Sequence, residues 1–365
     1  MDITVTKENI VSALSVTLGV VEKRHTLPIL ANVLFEVDEN TFKLTATDLE
    51  SLVTTSGPTT NTQSSGITTT SAKKLNELCR LIPDGEEIRI FLQGEKLNIR
   101  TTNGKYSLSI LPSSDFPIFD IDSGGSPLVI PAQDLRTLIT DTSFAIGPAG
   151  WKRPLEGVFL SVDGGQIVAV ASDGARLAVA KIPTTSNNSF SGIIPRKPIN
   201  EMAKILSDQQ GDAELKIHNA SLELVVGNLI FKSKLIDGNF PDYQRVIPSG
   251  ESSVLEINVK DFSETLSRVS VLSGEKSKRI NLAISSDGIM ISTDSPDQGE
   301  AEEFFPAKYA GEELEIVFNG TYLQEIISHL KTDLCHINFF GPDKSCILTP
   351  SDGDSPTYLI NPLLI

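Results

Sequence analysis

Short runs in which apolar and polar residues alternate dominate this chain, the pattern of β-hairpins with one buried face. One such pair of runs extends from Leu30 to Asp38 and from Phe42 to Asp48. It returns at Leu155 to Asp163 and Ile167 to Asp173, displaced by 125 residues without a gap. A fainter third copy, 247 residues beyond the first, covers Ile280 to Ile284 and Ile289 to Ser295. Apolar residues at helical spacing recur with the hairpins. The segments Asn9–Leu18, Ala132–Thr140 and Val259–Val269 precede them, and Lys73–Ile82, Lys197–Leu206 and Leu323–Leu330 follow them. Thr54 to Thr70, rich in Thr, Ser and Gly, reads as a permissive strand-and-loop region.

Two stretches of small polar residues, Asp122–Pro127 and Pro248–Ser253, cannot build a core and mark connections. Each follows a Phe-Pro pair, Phe116-Pro117 and Phe240-Pro241, themselves 124 residues apart. The chain is therefore predicted to be α+β and built three times over, with domains at 1–125, 126–248 and 249–365. Each domain should pack two helices on antiparallel sheet.

Composition narrows the chemistry. Of 365 residues, 39% are hydrophobic, enough for sizeable cores, yet no apolar stretch is long enough to span a bilayer. The first residues, Met1-Asp2-Ile3-Thr4, lack a basic region followed by an apolar block, so no signal peptide is expected. Cys79, Cys335 and Cys346 are scattered without metal-ligand spacing and fit buried thiols in a reducing cytoplasm. A formal charge of −16 argues against a broad basic surface gripping nucleic acid, while leaving room for a locally basic face.

No catalytic set converges. His25, His218, His329 and His336 fall in unrelated places, so packed or solvated histidines are expected and no metal or cofactor is implied. Gly274-Glu275-Lys276-Ser277 lacks the Gly-Lys pair of a phosphate loop and reads as a charged surface loop. Asp48 and Asp173 are repeat equivalents at strand ends, where a carboxylate ordinarily shapes a turn. The basic residues say more. Lys73 and Arg80 are seven apart, as are Lys197 and Lys204, so each pair shares a helix side opposite Leu75, Leu78 and Ile82, or Ile199, Met202 and Leu206. The pair recurs at equivalent positions in an acidic chain, and only the third copy breaks it, with Ser328. A cationic face repeated in this way could line a common surface.

Three segments carry a family resemblance: Thr26-Leu27-Pro28-Ile29-Leu30, Ser172-Asp173-Gly174-Ala175-Arg176-Leu177-Ala178, and Asp237 to Pro248 with its Phe240-Pro241-Asp242-Tyr243 core. With the length, the triplication and the Tyr358 to Leu363 terminus, they resemble the bacterial replicative sliding clamps, the beta subunits of DNA polymerase III. The resemblance covers the whole chain. It implies a non-enzymatic, cytoplasmic processivity factor: a homodimer closed into a ring of six similar domains, each chain supplying half. The ring would encircle double-stranded DNA without sequence preference and tether the DNA polymerase III alpha subunit, the clamp loader, other DNA polymerases and repair proteins. Modest basic lining suffices for such a ring, because closure supplies the persistence and weak phosphate contacts permit sliding.

By the same resemblance the DNA-lining set is Arg24, Lys73, Arg80, Arg196, Lys197 and Lys204, with Lys276, Lys278 and Arg279 near the third domain. The subunit interface falls on Lys74, Leu78, Ile82, Tyr106 and Leu108, facing Val271 and Leu272 with the acidic Glu300, Glu302 and Glu303. The partner-peptide pocket comprises Leu155, Ser172, Gly174, Arg176, Leu177, Pro241, Arg245, Val246, Asn319, Tyr322, Ser345, Leu359, Asn361, Pro362 and Leu363. Arg176 and Arg245 are expected to border it and favour acidic flanks. Two departures bear on partner preference: Ala175, where many members carry His, and the Leu364-Ile365 end without the Arg of some members. The apolar tail is unusual for a chain end; Tyr358 to Ile360 should complete a strand that Pro362 stops. Two rival readings remain open: an enzyme with an interdomain site, which the missing catalytic set opposes, and a repeat-built scaffold that never threads DNA, which the recurrent basic face opposes.

Overall fold

The computed structural model describes residues 1–21, 27–118, 126–186, 189–218, 220–274 and 278–363. Six helices stand close to where the spacing predicts them: α1 (Lys7–Thr17), α2 (Ala72–Leu81), α3 (Ala132–Ser143), α4 (Arg196–Ile205), α5 (Val259–Ser270) and α6 (Gly320–His329). Four begin at a polar cap directly after a strand. Thr6 Oγ1, Ser71 Oγ, Asn258 Oδ1 and Asn319 Oδ1 accept backbone N–H groups of the first turn of α1, α2, α5 and α6. Pro198 in α4 lies within the first turn, where its missing N–H costs no intrahelical bond. Thr54 to Thr70 is more regular than expected: it belongs to strands Ser51–Pro58, Asn61–Ser64 and Gly66–Ser71. Of the two connections, residues 119–125 of the first lie outside the described residues, and the second carries no regular element before strand Ser253–Asn258.

The three hairpins share one register. Leu34 faces Thr45, Phe159 faces Val170 and Asn281 faces Ser292, at matching places in the three repeats. The turn that leads out of each of the first two into the next strand has the same hydrogen bonds. Asp48 Oδ1 accepts from Glu50 N (3.0 Å) and Ser51 N (2.6 Å), and Asp173 Oδ1 accepts from Ala175 N (2.9 Å) and Arg176 N (3.0 Å). Thr47 Oγ1 donates to Ser51 O, as Ser172 Oγ donates to Arg176 O. The intervening residue is left-handed in both, Leu49 at φ +74° and Gly174 at φ +87°. The two carboxylates build turns, as expected of them.

The three repeats fold as two compact units, residues 1–136 with 197–235, and residues 137–196 with 236–365. In the first unit a single antiparallel sheet of 13 strands joins the first repeat to the Asp212–Lys234 strands of the second through Val53 opposite Phe231. In the second unit a nine-stranded sheet repeats this junction, Ala178 opposite Tyr358, and a four-stranded sheet stands beside it. The core of the first unit gathers Ile3, Val5, Ile10 and Leu14 with Phe35, Phe42, Leu75 and Cys79. In the second, α5 buries Phe262 edge-on to Phe305 at 5.3 Å, and α6 buries Leu323, Ile326 and Ile327.

All three thiols are buried. Burial pushes Cys79 and Cys335 up to about 12 and raises Cys346 as well, so no thiolate nucleophile is present near neutrality. In the native protein at about pH 8 none of the three should react with iodoacetamide, and all should react after denaturation; alkylation of the native chain, read by mass spectrometry, would contradict this burial.

Candidate functional site

An apolar cluster in the second unit holds Leu177 and Leu359 of the expected pocket. Leu177 and Leu359 face each other across paired strands and are buried with Val170 and Val179; Phe159, Val168, Phe240, Tyr243 and Ile247 close around them. Phe240 stacks on Phe159 with ring centres 5.3 Å apart. This brings the Phe-Pro segment onto the sheet, where Pro241 is exposed, Val246 is 56% exposed, and Arg245 reaches Asp242 at 2.8 Å from the surface. Leu155 is buried, its carbonyl accepting from Gly147 N at 2.8 Å. The tail is stitched to the turn: Asn361 N donates to Ala175 O (2.9 Å), Asn361 Nδ2 to Gly174 O (3.2 Å), and Ser345 Oγ to Asn361 Oδ1 (2.7 Å). Past Pro362, Leu363 N donates to Val317 O at 2.8 Å and its side chain stays half-buried, so the strand ends at Ile360 as the proline requires.

Arg176 departs from its expected part. It is only 7% exposed, and its guanidinium is already satisfied by Asp173 (Nε to Oδ2, 3.0 Å), by Glu325 and by Phe144 O (3.0 Å). It also lies over the rings of Tyr322 (4.3 Å) and Phe144 (5.2 Å). A buried guanidinium needs all its donors answered within the fold, so Arg176 holds the turn and the α6 side chains in place instead of offering a charge to a ligand. Asn319, as the cap of α6, and Tyr322 act through the same arrangement. Arg245 is the accessible cation of the pair. Leu177 and Leu359 of the apolar floor were expected, but Val168 and Val170 were not, although a signal was there: Ile167-Val168-Ala169-Val170-Ala171 is apolar at every position, as in a strand covered on both faces. Trp151, 49% exposed, also went unnoticed; a Cβ on Gly174 would meet its ring at 2.6 Å.

The basic candidates divide in two. Lys73, Arg80 and Lys204 project from exposed positions of α2 and α4, Lys73 beside Glu77 (3.7 Å) and Lys204 beside Glu201 (2.6 Å). Lys197 instead reaches the buried Asp48 carboxylate at 2.5 Å, and Arg196 donates to the carbonyls of Ile146 (2.7 Å) and Gly147 (3.0 Å). Both bind the fold first. Lys278, left-handed at φ +44°, and Arg279 are exposed; Arg24 and Lys276 lie outside the described residues.

The interface candidates gather at two open strand edges, one on each unit. Strand Lys105–Leu111 pairs with Lys96–Arg100 on one side, and its other side is paired only at Ile110 and Leu111. Tyr106 there is 42% exposed, with Leu108 and Leu78 half-buried and Lys74 exposed. Ile82 is a correction: it is buried in the first unit's core, because the chain turns inward after α2, and the exposed apolar residue of that helix end is Leu81, at 85%. The second edge is strand Gly299–Pro306, outermost in its sheet. Glu300 and Glu302 are exposed there, and Phe304, which the sequence did not single out, is half-exposed. Glu303 is claimed within the chain: Arg268 donates to it at 2.5 and 3.1 Å and holds its carboxyl below the usual range. Val271 is exposed and Leu272 half-buried at the end of α5.

Among the described residues no three His, Cys, Asp or Glu side chains are placed to hold a metal ion, and no helix is long and apolar enough to cross a membrane. His329 stacks on Phe144 at 4.2 Å and His336 lies beside Glu256, which are packed and paired positions.

Three repeats with a shared hairpin register, an apolar cluster at a repeat junction and two open edges define a clamp-type protein. Comparison with known proteins sharpens this: the descriptions of the N-terminal, central and C-terminal domains of the DNA polymerase III beta subunit match residues 1–120, 129–242 and 244–364. The chain belongs to the DNA polymerase III beta subunit family. It is 34% identical over 367 residues to the beta sliding clamp of Pseudomonas aeruginosa and 33% identical over 364 residues to that of Escherichia coli, with 100% of each chain covered. The crystal structure of the Pseudomonas aeruginosa subunit superposes with a TM-score of 0.96 at 33% identity, and the solved structure of Caulobacter crescentus pol III beta with 0.94 at 29%, again over 100% of both chains.

Proposed function

We propose that two copies of this chain join head to tail into a ring that encircles duplex DNA and holds DNA polymerase III to it, without catalysing a reaction. The observation that carries the ring is the pair of complementary open edges. One presents Lys74, Leu81 and Tyr106, the other Phe304 with Glu300 and Glu302, so each can pair with the other's copy and neither with itself. The three domains run 1–125, 126–248 and 249–365. The exposed Lys73, Arg80 and Lys204 touch DNA phosphates in a body of net charge −16, which keeps contact weak and independent of sequence. The groove around Leu177, Leu359 and Val246 receives peptides of the polymerase alpha subunit, the clamp loader, other DNA polymerases and repair proteins, all in the cytoplasm.

The test is topological. Loaded protein should persist on circular duplex and leave when that duplex is linearised. Reversing Lys73, Arg80 and Lys204 together to Glu should impair loading about equally on unrelated DNA sequences, with melting unchanged, because these side chains are solvated. Equal retention on circular and linear DNA would sink the ring, and a sequence-dependent defect would sink the phosphate-contact reading.

A further inference from the structure

The junction that forms the groove in the second unit exists a second time, in the first unit, with different chemistry. Leu52 pairs with Lys232 where Leu177 pairs with Leu359, and Thr54 pairs with Ile230 where Val179 pairs with Thr357. Thr45 stands beside Thr54 as Val170 stands beside Val179. Ile118 follows Phe116-Pro117, the repeat of Phe240-Pro241. Between these residues lies a cavity of about 430 Å³.

We propose that this cavity is a second docking site, for a partner segment with an apolar anchor flanked by carboxylates; the proposal rests on reading the Leu177–Leu359 groove as a peptide site. Three apolar side chains offer the anchor its contact: Leu52 at the floor, Ile118 67% exposed and Ile230 37% exposed. The rest of the lining has changed sign of preference. Where the second unit carries Val168 and Leu359, the first carries Lys43 and Lys232, so two ammonium groups border the apolar surface. Both are ion-paired, Lys43 with Glu36, which also lines the cavity, at 2.9 Å, and Lys232 with Glu223 at 3.1 Å. An ammonium has three donors, and the Lys43 side chain is 49% exposed, so an incoming carboxylate can share it with Glu36 without breaking that pair. Thr45 and Thr54, hydroxyls 3.1 Å apart, replace Val170 and Val179 and can exchange that mutual bond for one to a peptide backbone. Basic side chains on an apolar cavity in a chain of net charge −16 select an acidic occupant, and the replacement of the second groove's apolar floor selects against that groove's ligands.

The probe is a short peptide with a Leu-Phe pair flanked on both sides by aspartates, titrated into the intact, isoleucine-methyl-labelled protein. Saturable shifts of the Ile118 and Ile230 methyl signals are expected, and they should persist in a chain ending at Pro362. Lys43→Glu, an exposed change that spares the core, should weaken binding about tenfold or more, as should Ile118→Asp. A lysine-flanked peptide should not bind. The proposal is overturned if no saturable shift is seen, if both peptides bind alike, or if the truncated chain loses the response. It also falls if the peptide binds only once Phe119 and Ile121 are replaced, since the cavity would then serve the chain's own linker. No DNA enters this readout, so its failure and that of the clamp reading are separable.

Discussion

A chain ending at Pro362 should keep its fold and its dimer mass and bind peptides of the polymerase or loader roughly 30- to 100-fold more weakly. That factor corresponds to losing an anchoring contact of about 2–3 kcal/mol at the centre of a small apolar site. The fold should survive because strand Thr357–Ile360 and the Asn361 bonds to Ala175 and Gly174 all precede the cut. What is removed is the half-buried Leu363 and the two residues beyond it. Val246→Asp should act in the same direction, since Val246 is exposed between Tyr243 and Ile247 of the apolar cluster and its replacement should leave the core intact. Peptide affinity measured by fluorescence anisotropy, with melting as the control, decides the matter. If truncated and intact chains bind equally, or truncation lowers the melting temperature sharply, the tail is core and the groove lies elsewhere.

Replacing Leu81 and Tyr106 together with Asp should turn the dimer into monomers and abolish retention on circular DNA. Central apolar and aromatic residues of an interface carry about 2–4 kcal/mol. A closed head-to-tail pair contains the interface twice, so the loss doubles to about 4–8 kcal/mol, a factor of roughly 10³–10⁶ in the dissociation constant. Both side chains are exposed in the single chain, so the monomer should stay folded. Ile82→Asp is the contrasting control: it puts a charge in the first unit's core and should unfold that unit before it frees a subunit. A dimer–monomer equilibrium left unchanged in sedimentation would move the interface away from this edge.

The comparison of repeats shows how far a one-dimensional pattern reaches. Helix positions, hairpin register and the twin Asp turns were legible because each depends on local spacing, which the triplication states three times. The pocket was legible in part. Leu177 and Leu359 came from resemblance and do face each other, whereas Phe159, Val168 and Val170 come from two paired strands whose cover is a segment some seventy residues later. Arg176 and Lys197 show the limit most clearly. Each looks like a surface cation along the chain, yet one is enclosed by Asp173, Glu325 and two rings, and the other is drawn to a buried carboxylate 149 positions away.

By itself, then, the sequence determined the α+β class, the threefold repetition and the positions of the helices, because periodicity and residue type act over a few neighbours. Only the tertiary structure decided that the middle repeat divides its strands between two units, that Leu81 and not Ile82 faces outward, and that Arg196 and Lys197, though still exposed in part, are tied to carbonyls and to the Asp48 carboxylate. Those outcomes depend on which distant group arrives to cover an apolar face or answer a charge, and desolvation makes that choice only once the chain has folded.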